Sequence, residues 1–289
     1  DGETLTKLIN TEKVNYSLGV PTVWLALVEY LNASGNSVDS LKSVVVGGAA
    51  CPLSLMHAMD KYGIYMHVGW GMTEMSPLGT VSSLKNKHLS LDREEQLAIK
   101  DKQGRAIFGV DLKIVDDNGV ELPWDGKAFG ELLVRGPWIL NNYFRNEKND
   151  SLRKDSDGLD WFPTGDVATI DPEGFMQITD RAKDVIKTGG EWISSIELEN
   201  IAVGHSGVLE AAVIGIYDKK WGERPLLICV KKEGVELTHD DILSTYEGKV
   251  AKWCFPEATE FVLELPHTAT GKVKKSVLRE EFKDYRFKN

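Results

Sequence analysis

Leu41-Lys42-Ser43-Val44-Val45-Val46-Gly47-Gly48-Ala49-Ala50 and, a little downstream, Ile64-Tyr65-Met66-His67-Val68-Gly69-Trp70-Gly71-Met72-Thr73-Glu74 decide the fold. Each is a short β-branched or apolar run that breaks into glycine, and Pro52 opens a helical stretch through Met59 between them. That order predicts strand, tight turn, helix, then a second strand from Ile64 to Val68 with its own glycine-marked turn. In open α/β sheets ligands sit at the carboxyl ends of strands, so both turns are candidate binding loops.

Upstream, the apolar positions from Leu5 to Leu31 predict a helix, a short buried strand ending near Pro21, and a second helix carrying Trp24, Leu27, Val28 and Leu31. Downstream, from Phe108 to Phe144, the pattern changes to short alternating strands such as Asp111 to Val115 and Glu131 to Arg135. Asp117-Asn118-Gly119 and Gly136-Pro137 punctuate them, which predicts a small β-barrel or β-rich subdomain. Beyond Arg181 the pattern reads strand, helix (Ser195 to Val203), strand (Ala211 to Ile216), strand (Leu226 to Val230), helix (Thr238 to Val250) and a short strand near Phe261. This is a compact α+β unit, joined to the rest through the polar stretch Thr179 to Asp184.

A length of 289 residues suits two or three folded units, each with its own core. A formal charge of -10 argues against broad capture of nucleic acid or anionic membrane. Cys51, Cys229 and Cys254 lack paired metal-ligand spacing and are too few for a disulfide framework, which suits spectator thiols in a reducing cytoplasm. No apolar run approaches the roughly 20 residues that span a bilayer. The start, Asp-Gly-Glu, has no basic n-region or apolar h-region, so the chain reads as processed or as cut from something longer. His67, His88, His205, His239 and His267 show no helical metal-ligand spacing, and no serine sits in a Gly-x-Ser-x-Gly elbow.

Four blocks, Gly69 to Glu74, Trp161 to Asp166, Asp180 to Glu199 and Pro266 to Lys272, together resemble the signature motifs of the adenylate-forming superfamily in order and approximate spacing. Gly-Val-Pro-Thr-Val-Trp near the start, Gly189 to Ser195 and His267 to Lys272 are most similar to medium-chain fatty acyl-CoA ligases. The resemblance implies an α/β and α+β architecture: residues 1–95 the remainder of an α/β subdomain, 96–180 a β-barrel subdomain, 181–184 a hinge at Lys183, and 185–289 a small mobile C-terminal domain.

It also implies roles. Gly48, Ala49 and Ala50 would form an adenine shelf, with Trp70, Gly71, Met72 and Ile178 beside the nucleotide. Thr73 would offer a hydroxyl to the α-phosphate, and Glu74 a hard carboxylate oxygen to Mg²⁺. Asp166 would accept hydrogen bonds from both ribose hydroxyls, and Arg181 would contact the ribose and phosphate side. Lys272 would stabilise the charge that develops as a carboxylate attacks the α-phosphorus. Gly189, Gly190, Glu191, Trp192 and Trp221 would lie along the coenzyme A arm. The implied substrates are ATP, CoA and a carboxylic acid, with a homodimer possible.

Read from the residues alone, alternatives stay open: Trp70, Trp192 and Trp221 as packing, Thr73-Glu74 as a helix cap, and Lys272, Lys274 and Lys275 as a solvated basic turn. The superfamily also needs a Ser/Thr/Gly-rich loop for the β- and γ-phosphates, and no such run occurs here. The expectation is a fragment of an enzyme about twice as long, inactive alone. Val20 to Leu27 and Met75 to Leu78 are candidate acyl-pocket linings. Competing readings are adenylation for a carrier-protein thiol and a non-catalytic nucleotide-binding module.

Overall fold

The computed structural model describes residues 1–48, 51–148, 150–268 and 273–287. The chain divides into two compact units, one of Asp1–Thr164 with Ala168–Ile178, the other of Gly165–Val167 with everything from Thr179 onward.

In the first unit, helix α1 (Gly2–Glu12) begins where the Asp1 side chain accepts the Thr4 N–H at 2.8 Å. Strand β1 (Tyr16–Gly19) leads into α2 (Pro21–Ser34), which has proline in its first turn and stops at a left-handed Gly35. Strand β2 (Ser43–Val46), α3 (Leu53–Lys61) and β3 (Tyr65–Gly71) follow. Strands β1, β2 and β3 pair in parallel, and Trp24, Leu27 and Leu31 of α2 with Leu55, Met56 and Met59 of α3 pack in one core with Val44, Val46, Met66 and Val68. This confirms the α/β reading.

Two details differ from expectation. Strand β1 is not buried, for Tyr16 and Leu18 are 51% and 68% exposed. Nor does β3 end at Val68: it continues to Gly71 because a strand with no clear sequence signature, β4 (Leu78–Val81), pairs antiparallel with Gly69, Trp70 and Gly71. Gly71 is required by that hairpin, since a Cβ there would lie 1.9 Å from the Pro77 carbonyl oxygen.

Helix α4 (Arg93–Asp101), opened by an Asp92–Glu95 capping box, precedes β5 (Arg105–Ala106), which pairs with β4. The β-rich region comprises β6 (Asp111–Val115), β7 (Phe129–Arg135), β8 (Arg153–Lys154), β9 (Asp160–Ile170) and β10 (Met176–Arg181). They form one sheet in the order β10-β9-β7-β6, with β8 on β9. Ile114, Leu132, Val134, Phe162, Ala168 and Ile170 fill its core together with Trp70 and Met75.

The second unit holds β11 (Ile186–Thr188), β12 (Glu191–Ile193), α5 (Ser195–Val203), β13 (Val208–Asp218), β14 (Gly222–Lys231), α6 (His239–Leu243), β15 (Ala258–Val262) and α7 (Lys275–Glu281). The long β13–β14 antiparallel pair is its spine, and β15 adds in parallel to β14. One face of the spine packs Val213, Leu227 and Cys229 with Leu198, Ile242 and Tyr246; the other packs Ile214, Leu226 and Ile228 with Leu265 and Leu278.

The helix expected over Thr238 to Val250 is shorter. After Leu243 it tightens into a 3₁₀ turn, Ser244–Tyr246, and Gly248 then takes a φ of +73°. The buried Tyr246 hydroxyl donates to the Leu198 carbonyl at 2.7 Å, which fixes the turn where a regular helix would carry the ring past that acceptor.

Candidate functional site

The sequence-predicted residues fall into two groups. In the first unit, Thr73 to Met75 form a single 3₁₀ turn after the extended Met72. No side chain caps this turn and Thr73 is exposed, so the helix-cap alternative is not what these residues do. Glu74 is held twice: its carbonyl accepts the Leu140 N–H at 2.8 Å, and its Oε1 accepts the Tyr143 hydroxyl at 2.8 Å. That bond to the carboxylate raises the Tyr143 phenol above its usual range, because the proton is worth more on the tyrosine than off it. Tyr143 carried no sequence signal; it lies on a loop far from Glu74 in the chain.

Gly48 lies two residues beyond the end of β2, with a φ of +78°. Ala49 and Ala50, the rest of the expected shelf, lie outside the described residues. Trp70 points to the covered side of β3 and is buried in the second core cluster beside Met75. Gly71 and Met72 lead into the 3₁₀ turn, and the Ile178 N–H donates to Gln103 Oε1 at 2.6 Å.

In the second unit, Asp166 lies inside β9 rather than on a surface turn and is 1% exposed. Its Oδ1 meets Arg181 Nη1 at 2.5 Å, and the arginine side chain is half exposed. A buried carboxylate needs such a partner, and the pair sets a half-exposed cation against a buried acceptor. Lys183 is exposed in the turn between β10 and β11, where the Asp184 and Val185 N–H groups both donate to the Arg181 carbonyl, at 2.8 and 2.9 Å.

Gly189 and Gly190 form the two-residue turn between β11 and β12, with φ of +59° and +90°, a conformation that favours glycine. Glu191 is exposed beside them. The Gly189 N–H donates to the Trp221 carbonyl at 2.7 Å. Trp221 is 46% exposed, with Lys220 Nζ 4.4 Å from its ring centroid, and Lys187 Nζ lies 4.8 Å from the Trp192 ring. These tryptophans belong to neither core cluster of the unit, and their ammonium neighbours suit an anionic, partly flat ligand.

Lys272 and Gly271 lie outside the described residues, but the chain on either side is defined. His267 and Val273 form an antiparallel bridge, and the Lys274 N–H donates to the Pro266 carbonyl at 2.7 Å. The basic run is not one solvated turn: Lys274 is exposed, whereas Lys275 is paired with Glu199 at 2.6 Å.

The remaining chemistry is spare. Burial pushes the Cys51 and Cys229 thiols up to about 11, which keeps them from acting as thiolates near neutrality. Among the described residues no three His, Cys, Asp or Glu side chains converge to hold a metal, and no helix is long and apolar enough to cross a membrane. An open cavity of about 250 Å³ lies over β1 to β4, lined by Tyr16, Leu18, Val45, His67, Pro77, Leu78 and Val81. Pro77 and Leu78 fall within an expected acyl lining; Trp24 and Leu27, from the other, face the core.

Comparison with known proteins agrees with these motifs. The family model of AMP-binding enzymes matches residues 1–144, and that of the AMP-binding enzyme C-terminal domain matches residues 197–272. The chain belongs to the AMP-binding enzymes. The chain is 51% identical over 284 residues to a 3-methylmercaptopropionyl-CoA ligase of Ruegeria lacuscaerulensis, covering 98% of the chain and 52% of the relative. It is 48% identical over 285 residues to a medium-chain-fatty-acid–CoA ligase of Ectopseudomonas oleovorans, covering 98% and 51%. Among solved structures, ATP-bound MatB from Rhodopseudomonas palustris matches with a TM-score of 0.76 and 29% identity, over 98% of this chain and 54% of that one. The chain therefore spans about half the length of the curated relatives it matches.

Proposed function

We propose that these residues act within an acid–thiol ligase that activates a carboxylic acid as its acyl-adenylate and passes the acyl group to coenzyme A. The observation that carries the reading is the pairing of buried Asp166 with half-exposed Arg181, in a chain whose relatives are CoA ligases. A carboxylate that accepts from both ribose hydroxyls and a guanidinium beside it match a nucleotide's sugar and phosphate.

In the first half-reaction a substrate carboxylate oxygen bonds to the α-phosphorus of ATP and pyrophosphate leaves. Thr73 donates its hydroxyl to the α-phosphate, and Lys272 neutralises the charge that builds on the transferring group. In the second, the thiol sulfur of CoA bonds to the acyl carbon, AMP leaves with the bonding pair, and the thiol proton passes to solvent. The Gly189–Gly190 turn with Trp192 and Trp221 receives the CoA arm, and exposed Lys183 lies in the turn that absorbs the rotation between the two steps.

The residues fit Mg²⁺ in one way only. Glu74 would supply one hard carboxylate oxygen to an ion that arrives with the nucleotide's phosphates. Bound there, the ion supplies charge neutralisation for the triphosphate. The open apolar cavity over β1 to β4 and the acids in the relatives' names favour an aliphatic substrate.

The test is thioester formation by the full-length protein with ATP, Mg²⁺, CoA and a ladder of straight-chain and branched acids, beside the 289-residue chain. Acyl-CoA in the full-length reaction, dependent on all four components, is the expected result. Failure with every acid, or transfer to a carrier-protein thiol in place of CoA, would overturn the reading.

A further inference from the structure

The first residue of α7 sits only three positions after Lys272, and its side chain turns inward. Lys275 Nζ donates to Ser195 Oγ at 2.6 Å and pairs with Glu199 Oε1 at 2.6 Å, with 11% of its side chain exposed. Ser195 is fully buried; it passes its own hydroxyl proton toward Asp180 Oδ2 at 2.7 Å, and its N–H donates to the same oxygen at 2.5 Å. The other oxygen, Asp180 Oδ1, accepts the Arg181 N–H at 2.7 Å. A hydroxyl has one proton to give and two lone pairs to receive, so the chain Lys275 to Ser195 to Asp180 has one consistent direction.

Glu199 is equally committed, for its Oε1 also accepts the Val213 N–H at 2.8 Å. One turn further along α7, Arg279 Nη1 meets Asp184 Oδ1 at 2.6 Å. Helix α7 is thus tied on both sides of Ala182-Lys183: at Asp180 through Ser195, and at Asp184 directly. The same helix packs Leu278 into the core of its unit, and His267 and Val273, which lie on either side of Lys272 in the chain, form an antiparallel bridge.

Packing alone does not call for these charges. Buried ion pairs are often no better for stability than apolar side chains of similar volume, while half of such a pair is costly. Leu278 already anchors the helix. What the pairs add is direction: they fix one end of the Lys272 segment to the residues that carry Arg181.

We propose that Lys275 and Arg279 are positioning residues, a strut that locks the Lys272 segment to the junction Asp180–Asp184 so that Lys272 and Arg181 approach the nucleotide in fixed register. This rests on the ligase reading above. It predicts a selective defect, because adenylation uses both of those cations, whereas the CoA arm is received at the β11–β12 turn.

The test compares two partial reactions in the full-length protein: acid-dependent exchange of pyrophosphate into ATP, and thioester formation from CoA and a supplied acyl-adenylate. Lys275→Met keeps the apolar stem and removes the cation; Lys275→Arg keeps a cation that reaches Glu199. Exchange by Lys275→Met is expected to fall about 100-fold, the cost of a misplacement near 1 Å, with thioester formation near its starting rate and Lys275→Arg recovering most of the exchange. Arg279→Ala is expected to show the same selectivity. Equal loss in both partial reactions, tracking a drop in melting temperature, would reduce the strut to a structural pair, and unchanged exchange in a folded Lys275→Met protein would also overturn it. Lys272→Ala separates the two levels: if it keeps exchange, the role given to Lys272 is wrong; if it loses exchange while Lys275→Met does not, only the strut fails.

Discussion

The sheet of the first unit and the sheet of the second are finished differently. Around β13 and β14 alternate side chains enter two separate cores, one under α5 and α6 and one under α7. Strands β1 to β3 are parallel, yet among the described residues only one face enters a core. On the other face the register places Leu18, Val45 and His67 in one row, with Leu18 largely exposed. Parallel sheets are ordinarily covered on both faces. The second sheet is therefore packed on both faces, whereas the first presents an apolar surface of the kind that a protein uses for a ligand.

The contrast is sharpest in core truncations. Leu227 is fully buried at the centre of the second sheet, and Leu227→Ala is expected to cost about 2–5 kcal/mol in denaturant unfolding. A cost near zero would mean that this sheet is not the rigid member of the pair.

A smaller effect comes from Lys100, which is 2% exposed, lies 4.0 Å from the centroid of the Tyr65 ring and is lowered by burial from 10.5 to about 8. Between those values the unfolded chain still holds a proton that the folded chain has released, so this group makes stability rise with pH across that window. Lys100→Met is expected to stabilise by about 1 kcal/mol at pH 7, where the charge must be buried. The advantage should fade as the pH is raised from 8 toward 10.5, and an advantage independent of pH would refute the assignment to burial. The smallest effect is expected on the open face, where Leu18→Ser should change stability by no more than about 0.5 kcal/mol while reducing binding of an apolar fluorescent dye. A large loss of stability there would show that the face is already covered.

The legible parts of the fold were those with local signatures. β-branched runs broken by glycine marked β2 and β3, and the periodic run Ser195 to Val203 became α5 with those bounds. What stayed hidden depended on distant partners. Nothing in Leu78 to Val81 announces a strand until Gly69 to Gly71 lie beside it, and the expected helix at Thr238 was cut short by the bond from Tyr246 to Leu198. The site shows the same division. The motif residues were readable, but Tyr143 on Glu74 and Lys275 on Ser195 join residues 69 and 80 positions apart, and no local pattern encodes such a meeting.

The central claim, that this chain contributes to acyl-adenylate formation, is tested most directly by isotope exchange from pyrophosphate into ATP, using the full-length protein and its Lys272→Ala variant with each acid of the ladder. Exchange that requires an acid and is lost in the variant is the expected result. Exchange absent with every acid, or retained at the original rate in a folded Lys272→Ala protein, would contradict the account.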